Sequence, residues 1–320
     1  MKILITPTSF KADSTGPEME TLRRFAAEHQ GELVFNPAGK PLTEDELIPL
    51  IKDCDGYIAG LDFITKKVID AARSLKVISR YGAGVDRVDR EAAKAKNIPV
   101  CNTPGANAQA VADLTVALIL CAARKVPMLD RKTREGQWIR STGIELYGKI
   151  LGILGLGAVG KGVARRAQGF SMRVLAYDPY INKEYAGENN IEISGFDGVI
   201  RNADVICLHL PLTNETRHII SAEVMGRMKK GTILINTARG GLIDEQAAYE
   251  HLKSGQLGGL GLDAYEEEPP AASPLFELDN VVLTPHTASH TAEATANMAA
   301  MSVQNLIDVL SGRDCPYIIK

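Results

Sequence analysis

The run Ile150–Gly160, ILGILGLGAVG, constrains the fold more than any other stretch of this chain. Ile150–Leu154 is an uninterrupted apolar segment and reads as a strand buried on both faces. Three glycines follow at the spacing G-x-G-x-x-G, and Ala158–Phe170 reads as a helix. Gly155 permits a tight turn, Gly157 lets a phosphate approach the backbone, and Gly160 lets the helix pack close to the strand. The helix N-terminus then offers the N–H groups of Ala158 and Val159 to an anion. A second strand, Arg173–Tyr177, leads to Asp178, 23 residues beyond Gly155. A carboxylate there accepts hydrogen bonds from a ribose 2′-hydroxyl and repels a 2′-phosphate. No arginine immediately follows it. The run therefore predicts a dinucleotide-binding fold that favours NAD over NADP, with capping of the turn before Pro179 as the alternative use of Asp178.

The rest of the chain repeats the strand–helix alternation, which predicts α/β architecture with parallel sheets covered on both faces. In the first hundred residues strands are expected at Lys2–Thr6, Glu32–Phe35, Gly56–Ala59, Lys76–Arg80 and Pro99–Asn102. A long helix is expected over Ala108–Lys125. After Ile150 the array restarts, with further strands at Asp204–Leu208, Thr232–Asn236, Leu260–Leu262 and Val281–Thr284, and a last helix over about Thr291–Leu310. At 320 residues the chain is long for a single core, so two domains are expected. The last helix is expected to return to the first array.

Charge and cysteine content exclude several classes of function. A net charge of −3 gives no footprint for nucleic acid or a membrane surface. The best membrane candidate, Leu114–Ala123, is about half the roughly 20 residues a span requires. Cysteines 54, 101, 121, 207 and 315 are odd in number and lack C-x-x-C spacing, so no metal site or disulfide framework is expected. A soluble, cytoplasmic protein fits this pattern.

Three stretches place polar groups just past strands, where open α/β sheets bind ligands. ILINTARGGLID carries Arg239, GGLGLDAYEEEPP carries Asp263 and Glu268, and VVLTPHTASH carries His286. Taken singly, each has an ordinary explanation: a surface arginine in a glycine turn, a solvated acidic run, a loop histidine. Together they supply a cation, a carboxylate and an imidazole beyond the strands of one sheet.

With GAGVDRVD (82–89), NTPGANAQAVADLTVALIL (102–120) and LGILGLGAVG, these motifs resemble the D-isomer-specific 2-hydroxyacid dehydrogenases, and within them the short phosphoglycerate dehydrogenases. The likeness extends over nearly the whole chain. Arg239 to Glu268 is 29 residues and Glu268 to His286 is 18, as the family pattern has them. The resemblance implies two Rossmann-like or flavodoxin-like parallel-sheet domains with the active site in the cleft between them. Residues 1–102 with 289–320 would form the substrate domain and 103–288 the NAD-binding domain. His286 would be the general acid–base, Glu268 would orient it and stabilise its charged form, and Arg239 would bind the substrate carboxylate and keto oxygen. Backbone N–H groups of Ala83, Gly84 and Val85 would hold the same carboxylate, with Asn107 a further substrate contact. Asp263 would meet the nicotinamide carboxamide, near Thr237, Ala238 and Ala288. His209, Leu210 and Pro211 would flank the adenine side. The partners implied are a small 2-hydroxy or 2-keto acid and a second copy of the chain, as a homodimer.

The expected reaction is the interconversion of 3-phosphoglycerate and its keto acid, a step of serine biosynthesis, with Arg80 as the cation that meets the phosphate. Arg140 is a second candidate. One departure from the family pattern bears on this. Family members that act on phosphoglycerate often carry an arginine where this chain reads IAGLDF, so glyoxylate, hydroxypyruvate or another 2-keto acid is the alternative. Ending at Lys320, the chain is expected to lack a serine-responsive C-terminal domain. Proteins resembling this family also include NADH-sensing corepressors that keep the Arg–Glu–His set. A basic tail or a long disordered extension would favour that reading, and this sequence shows neither.

Overall fold

A computed structural model of the chain describes residues 1–270 and 272–319. The chain forms two compact units, Met1–Asn107 with His290–Lys320, and Ala108–Ser289.

In the first unit, five strands alternate with helices: β1 (Lys2–Ile5), α1 (Pro17–Glu28), β2 (Glu32–Phe35), α2 (Glu44–Ile51), β3 (Gly56–Ala59), α3 (Lys66–Ala71), β4 (Val77–Arg80), α4 (Arg90–Ala95) and β5 (Val100–Cys101). All pair in parallel, in the order β2-β1-β3-β4-β5. Side-chain direction alternates along each strand, and the core divides accordingly. Leu4, Tyr57, Ala59 and Ile78 point to one face, under Leu47, Ile51, Val68 and Ile69 of α2 and α3. Ile3, Ile5, Ile58 and Val77 point to the other.

The second unit opens with α5 (Ala108–Arg124) and α6 (Val126–Arg134). It continues through β6 (Ile150–Leu154), α7 (Ala158–Gly169), β7 (Arg173–Tyr177), α8 (Lys183–Glu188), β8 (Ile191–Ile193), α9 (Phe196–Asn202), β9 (Val205–Leu208), α10 (Ala222–Gly226), β10 (Thr232–Asn236), α11 (Glu245–Lys253), β11 (Leu257–Leu262) and β12 (Val281–Leu283). The seven strands are parallel in the order β12-β11-β10-β9-β6-β7-β8. The order reverses at β6, between β9 and β7, and such a switch point is where open sheets bind ligands. Leu118, Ile119 and Ala122 of α5 and Val163, Ala164 and Ala167 of α7 cover one face. Helices α9, α10 and α11 cover the other, over Leu154, Ile206, Leu208 and Leu234.

One helix remains. α12 (Ala292–Leu310) is capped by Thr291, whose hydroxyl accepts from the Ala294 N–H, and it belongs to the first unit. Its Ala299, Val303 and Leu306 complete the face left by Ile58 and Val77, and the Ser79 hydroxyl donates to the Ser302 carbonyl at 2.8 Å.

The chain departs from its sequence-based expectations in three places. The long helix ends at Arg124 as expected to within a residue, and past Lys125, which takes a left-handed φ of 55°, an unexpected further helix, α6, begins with Pro127 in its first turn. Strand β11 begins three residues earlier than expected, because LGG lacks side chains that signal a strand. Strand β8 is only three residues long and largely exposed, too short to show a period. Among the described residues no helix is long and apolar enough to cross a membrane.

Candidate active site

The glycine turn forms as the spacing requires. Gly155 has φ +102°, and a Cβ there would lie 2.6 Å from the His209 carbonyl oxygen. At Gly160 a Cβ would lie 2.2 Å from the Gly155 oxygen, so the first turn of α7 sits directly on the loop. Gly157 differs from both. A Cβ there would meet no heavy atom within 4 Å, although the residue caps a twelve-residue helix. Ala158 and Val159 are the first residues of that helix, whose leading N–H groups lack intrahelical acceptors.

Asp178 follows β7. One of its oxygens accepts from the Leu156 N–H and the other from the Tyr180 N–H, both at 2.8 Å. The carboxylate thus ties the glycine turn to the neighbouring strand while each oxygen keeps a further lone pair. Beside the turn, His209 follows β9, ahead of Leu210 and Pro211. Its Nε2 is shut off from solvent with no hydrogen-bond partner among the described residues. Burial pushes its imidazole down to about 3, so the ring is neutral. A glycine cradle open to solvent, a helix N-terminus and an orphaned buried nitrogen all fit a dinucleotide.

At the end of β10, Asn236 closes a loop on itself. Its amide donates to the Arg239 carbonyl at 2.7 Å, and its oxygen accepts from the Ala238 N–H at 3.0 Å. Arg239 Nη1 donates to the Ala238 carbonyl at 2.7 Å. Thr237 Oγ1 lies 2.8 Å from Thr115 Oγ1 on α5, a buried contact that no sequence motif signals.

His286 Nδ1 lies 2.8 and 2.9 Å from the two oxygens of Glu268, and both side chains keep part of their surface in solvent. With Nδ1 turned to the carboxylate, Nε2 is the nitrogen that remains for a substrate. His286 itself has φ +49°, uncommon for a residue other than glycine. The segment around it is fastened on both sides. Asp263, 1% exposed, accepts from Thr284 Oγ1 and the Thr287 N–H through one oxygen and from the Ala288 N–H through the other. The carboxylate expected against a nicotinamide thus staples the histidine loop.

In the first unit Arg80 is turned towards main-chain carbonyls. It is 4% exposed, and its Nη1 donates to the carbonyls of Ala59 and Gly60 while Nε donates to the Gly84 carbonyl at 3.0 Å. Arg87 Nη1 donates to the Leu61 carbonyl at 2.7 Å. The Arg80 bonds tie its guanidinium to the IAGLDF loop and to the Gly82–Val85 loop. The Ala83 carbonyl accepts from the Asn102 amide at 2.7 Å. Asn107 ends the continuous part of this unit. At Gly60 a Cβ would lie 3.1 Å from the Pro7 backbone, a tight approach.

Residues 116–288 match the family described as D-isomer specific 2-hydroxyacid dehydrogenase, NAD binding domain. The chain belongs to the D-isomer specific 2-hydroxyacid dehydrogenase family. It therefore carries that family's NAD-binding domain, of which the glycine turn is part. It is 46% identical over 275 residues to a D-3-phosphoglycerate dehydrogenase of Methanocaldococcus jannaschii, a match covering 85% of this chain and 52% of that one. It is 40% identical over 287 residues to a glyoxylate reductase of Korarchaeum cryptofilum, covering 87% and 86%. A solved protein from Thermus thermophilus matches over the full length of both chains with 37% identity and a TM-score of 0.87. The chain spans about half the length of the archaeal phosphoglycerate dehydrogenases it matches.

Proposed function

We propose that this chain is an NAD-dependent dehydrogenase that interconverts a D-2-hydroxy acid and its 2-keto acid, with the His286–Glu268 pair as its acid–base device. The observation that carries this reading is the double contact of His286 Nδ1 with the Glu268 carboxylate. Bound NADH supplies the hydride for reduction, and NAD accepts it in the reverse direction. His286 protonates the ketone oxygen from Nε2 during reduction and takes the hydroxyl proton during oxidation. Glu268 keeps the ring aimed and balances its charge. Arg239 holds the substrate carboxylate, for which a planar guanidinium fork is suited. Backbone N–H groups of Ala83, Gly84 and Val85 hold the same group, and Asn107 assists. Ala158, Val159 and Asp178 bind the pyrophosphate and ribose. His209, Leu210 and Pro211, with Thr237, Ala238 and Ala288, complete the cofactor site. Asp263 acts on it through the histidine loop.

The favoured substrate is an unphosphorylated keto acid such as hydroxypyruvate or glyoxylate, because Arg80 bonds main-chain carbonyls and the IAGLDF stretch carries no arginine. A second reading, 3-phosphoglycerate, is supported by the identity to the Methanocaldococcus enzyme. NADH absorbance followed over hydroxypyruvate, glyoxylate and 3-phosphohydroxypyruvate separates the two. His286→Ala should lower kcat by about 10²–10⁴ with NADH affinity retained; a variant turning over at the wild-type rate refutes the acid–base assignment.

We place a second copy of the chain on the segment after α5. Val126, Trp138, Ile139 and Tyr147 are all exposed there, Trp138 by 85%, and apolar surface gathered in one segment marks an interface. Trp138→Ser should weaken a homodimer in sedimentation, whereas a wild-type monomer would remove the proposal. The odd, unspaced cysteine count supports a reducing, cytoplasmic setting.

A further inference from the structure

Tyr265 stands where the arginine, glutamate and histidine motifs meet, and no motif gives it a task. Its ring is buried in the core beneath the sheet, 8% exposed. Its hydroxyl donates to the Thr284 carbonyl at 2.8 Å, two residues before His286. Its own N–H donates to Glu268 Oε1 at 3.2 Å. Its carbonyl group packs against Gly240, the residue after Arg239, so closely that a Cβ on Gly240 would lie 1.8 Å from the Tyr265 carbonyl carbon. One residue therefore touches Glu268, the strand end that launches His286, and the turn that follows Arg239.

We propose that Tyr265 is a positioning residue that sets the spacing of Glu268 and His286, by bonding the glutamate loop to the histidine loop through its hydroxyl. This rests on the dehydrogenase reading of the pair. The need for such a bond lies in the backbone. Glu268 and His286 come from two loops that follow different strands, and His286 holds a left-handed conformation that neighbouring contacts must maintain. Asp263 fastens the histidine loop beyond and before His286. Tyr265 joins the two partners themselves: its hydroxyl holds the histidine loop and its N–H holds Glu268. Burial, with the nearby charges of Asp263, Glu245 and Glu268, pushes the phenol up to about 12, so the hydroxyl stays a donor throughout the working range.

The test is Tyr265→Phe, which keeps the buried ring and removes the bond to Thr284. A displaced acid–base pair loses rate without losing cofactor. Turnover of the best keto acid should fall about tenfold, while the NADH dissociation constant and the thermal midpoint stay near wild type. The loss should sit in kcat, with the KM for the keto acid near wild type, because the pair is displaced while the substrate's own contacts remain. The pH profile of reduction should differ from that of the wild type, which a merely structural role would not produce. Tyr265→Leu should show the same displacement together with a lower thermal midpoint. Wild-type turnover with an unchanged pH profile in Tyr265→Phe overturns the proposal. So does a rate loss matched by equal losses in NADH affinity and thermal midpoint, which makes the residue a core member only. If His286→Ala and Glu268→Gln both retain full activity, it is the dehydrogenase reading of the pair that fails.

Discussion

Gly157→Ala should separate stability from cofactor binding. Gly157 has φ −76°, which alanine adopts without strain, and a Cβ there meets no heavy atom within 4 Å. Replacing glycine at a compatible position restricts the unfolded chain and stabilises by about 0.4–1 kcal/mol. Alanine caps a helix less well than glycine, which offsets part of that gain. The thermal midpoint should therefore move by no more than about 2 °C. Binding should move much further. The open space is the approach to the N–H groups that begin α7, and a methyl group there holds a pyrophosphate off the backbone. Losing one hydrogen bond to a charged group costs about 1.5–3 kcal/mol, a weakening of roughly tenfold to hundredfold. Calorimetric titration with NADH, run beside thermal unfolding of the same samples, measures both quantities. Gly160→Ala is the control, because its Cβ would lie 2.2 Å from the Gly155 oxygen and should lower the thermal midpoint outright. NADH binding within threefold of wild type in a stable Gly157→Ala protein would show that the phosphates do not approach there.

Two further outcomes are expected. Gly240→Ala drives a Cβ into the backbone of Tyr265 and Glu266, at 1.8–2.3 Å, and should destabilise by about 1–3 kcal/mol or more, whereas Gly241→Ala, facing the tips of Arg217 and Leu212 at 3.3 Å, should be mild; equal melting curves for the two would refute this packing. His209 keeps its Nε2 buried and its imidazole neutral, pushed down to about 3, so the unfolded chain binds a proton near 6.5 that the folded chain refuses. Stability from this group is full above pH 6.5 and is lost as pH falls towards 3, by up to about 1.4 kcal/mol per pH unit. Thermal midpoints at pH 7 and pH 5 should therefore differ less in His209→Asn than in the wild type, and an unchanged difference would place the acid sensitivity elsewhere.

The two-array fold is legible because parallel strands buried on both faces leave continuous apolar runs. β6, β7 and β10 have the bounds that their residues suggest. The glycine turn is legible for a related reason, since close backbone approach admits only glycine at Gly155 and Gly160. What the polar residues at the strand ends do is far less legible. Asp263, Asp178 and Arg80 stand at positions that suit ligands, and each also bonds a backbone group 21–24 residues away in the chain. Residue type and spacing mark a strand end; they do not say which N–H or carbonyl will lie opposite. Tyr265 is hidden for the same reason, because its partner is a main-chain carbonyl that any residue at position 284 would provide.

The placement of α12 bears on how the chain is made. The strands of the first sheet are all synthesised by Cys101, but Val303 and Leu306, which lie over Ile58 and Val77, emerge some two hundred residues later. At about 5–20 residues per second, that face waits roughly ten to forty seconds on the ribosome for its cover. The second unit is continuous in sequence and can close as it leaves the exit tunnel. The nascent protein thus holds a finished dinucleotide fold behind an unfinished, apolar-faced sheet, and it is the early sheet that a chaperone must shield until α12 emerges.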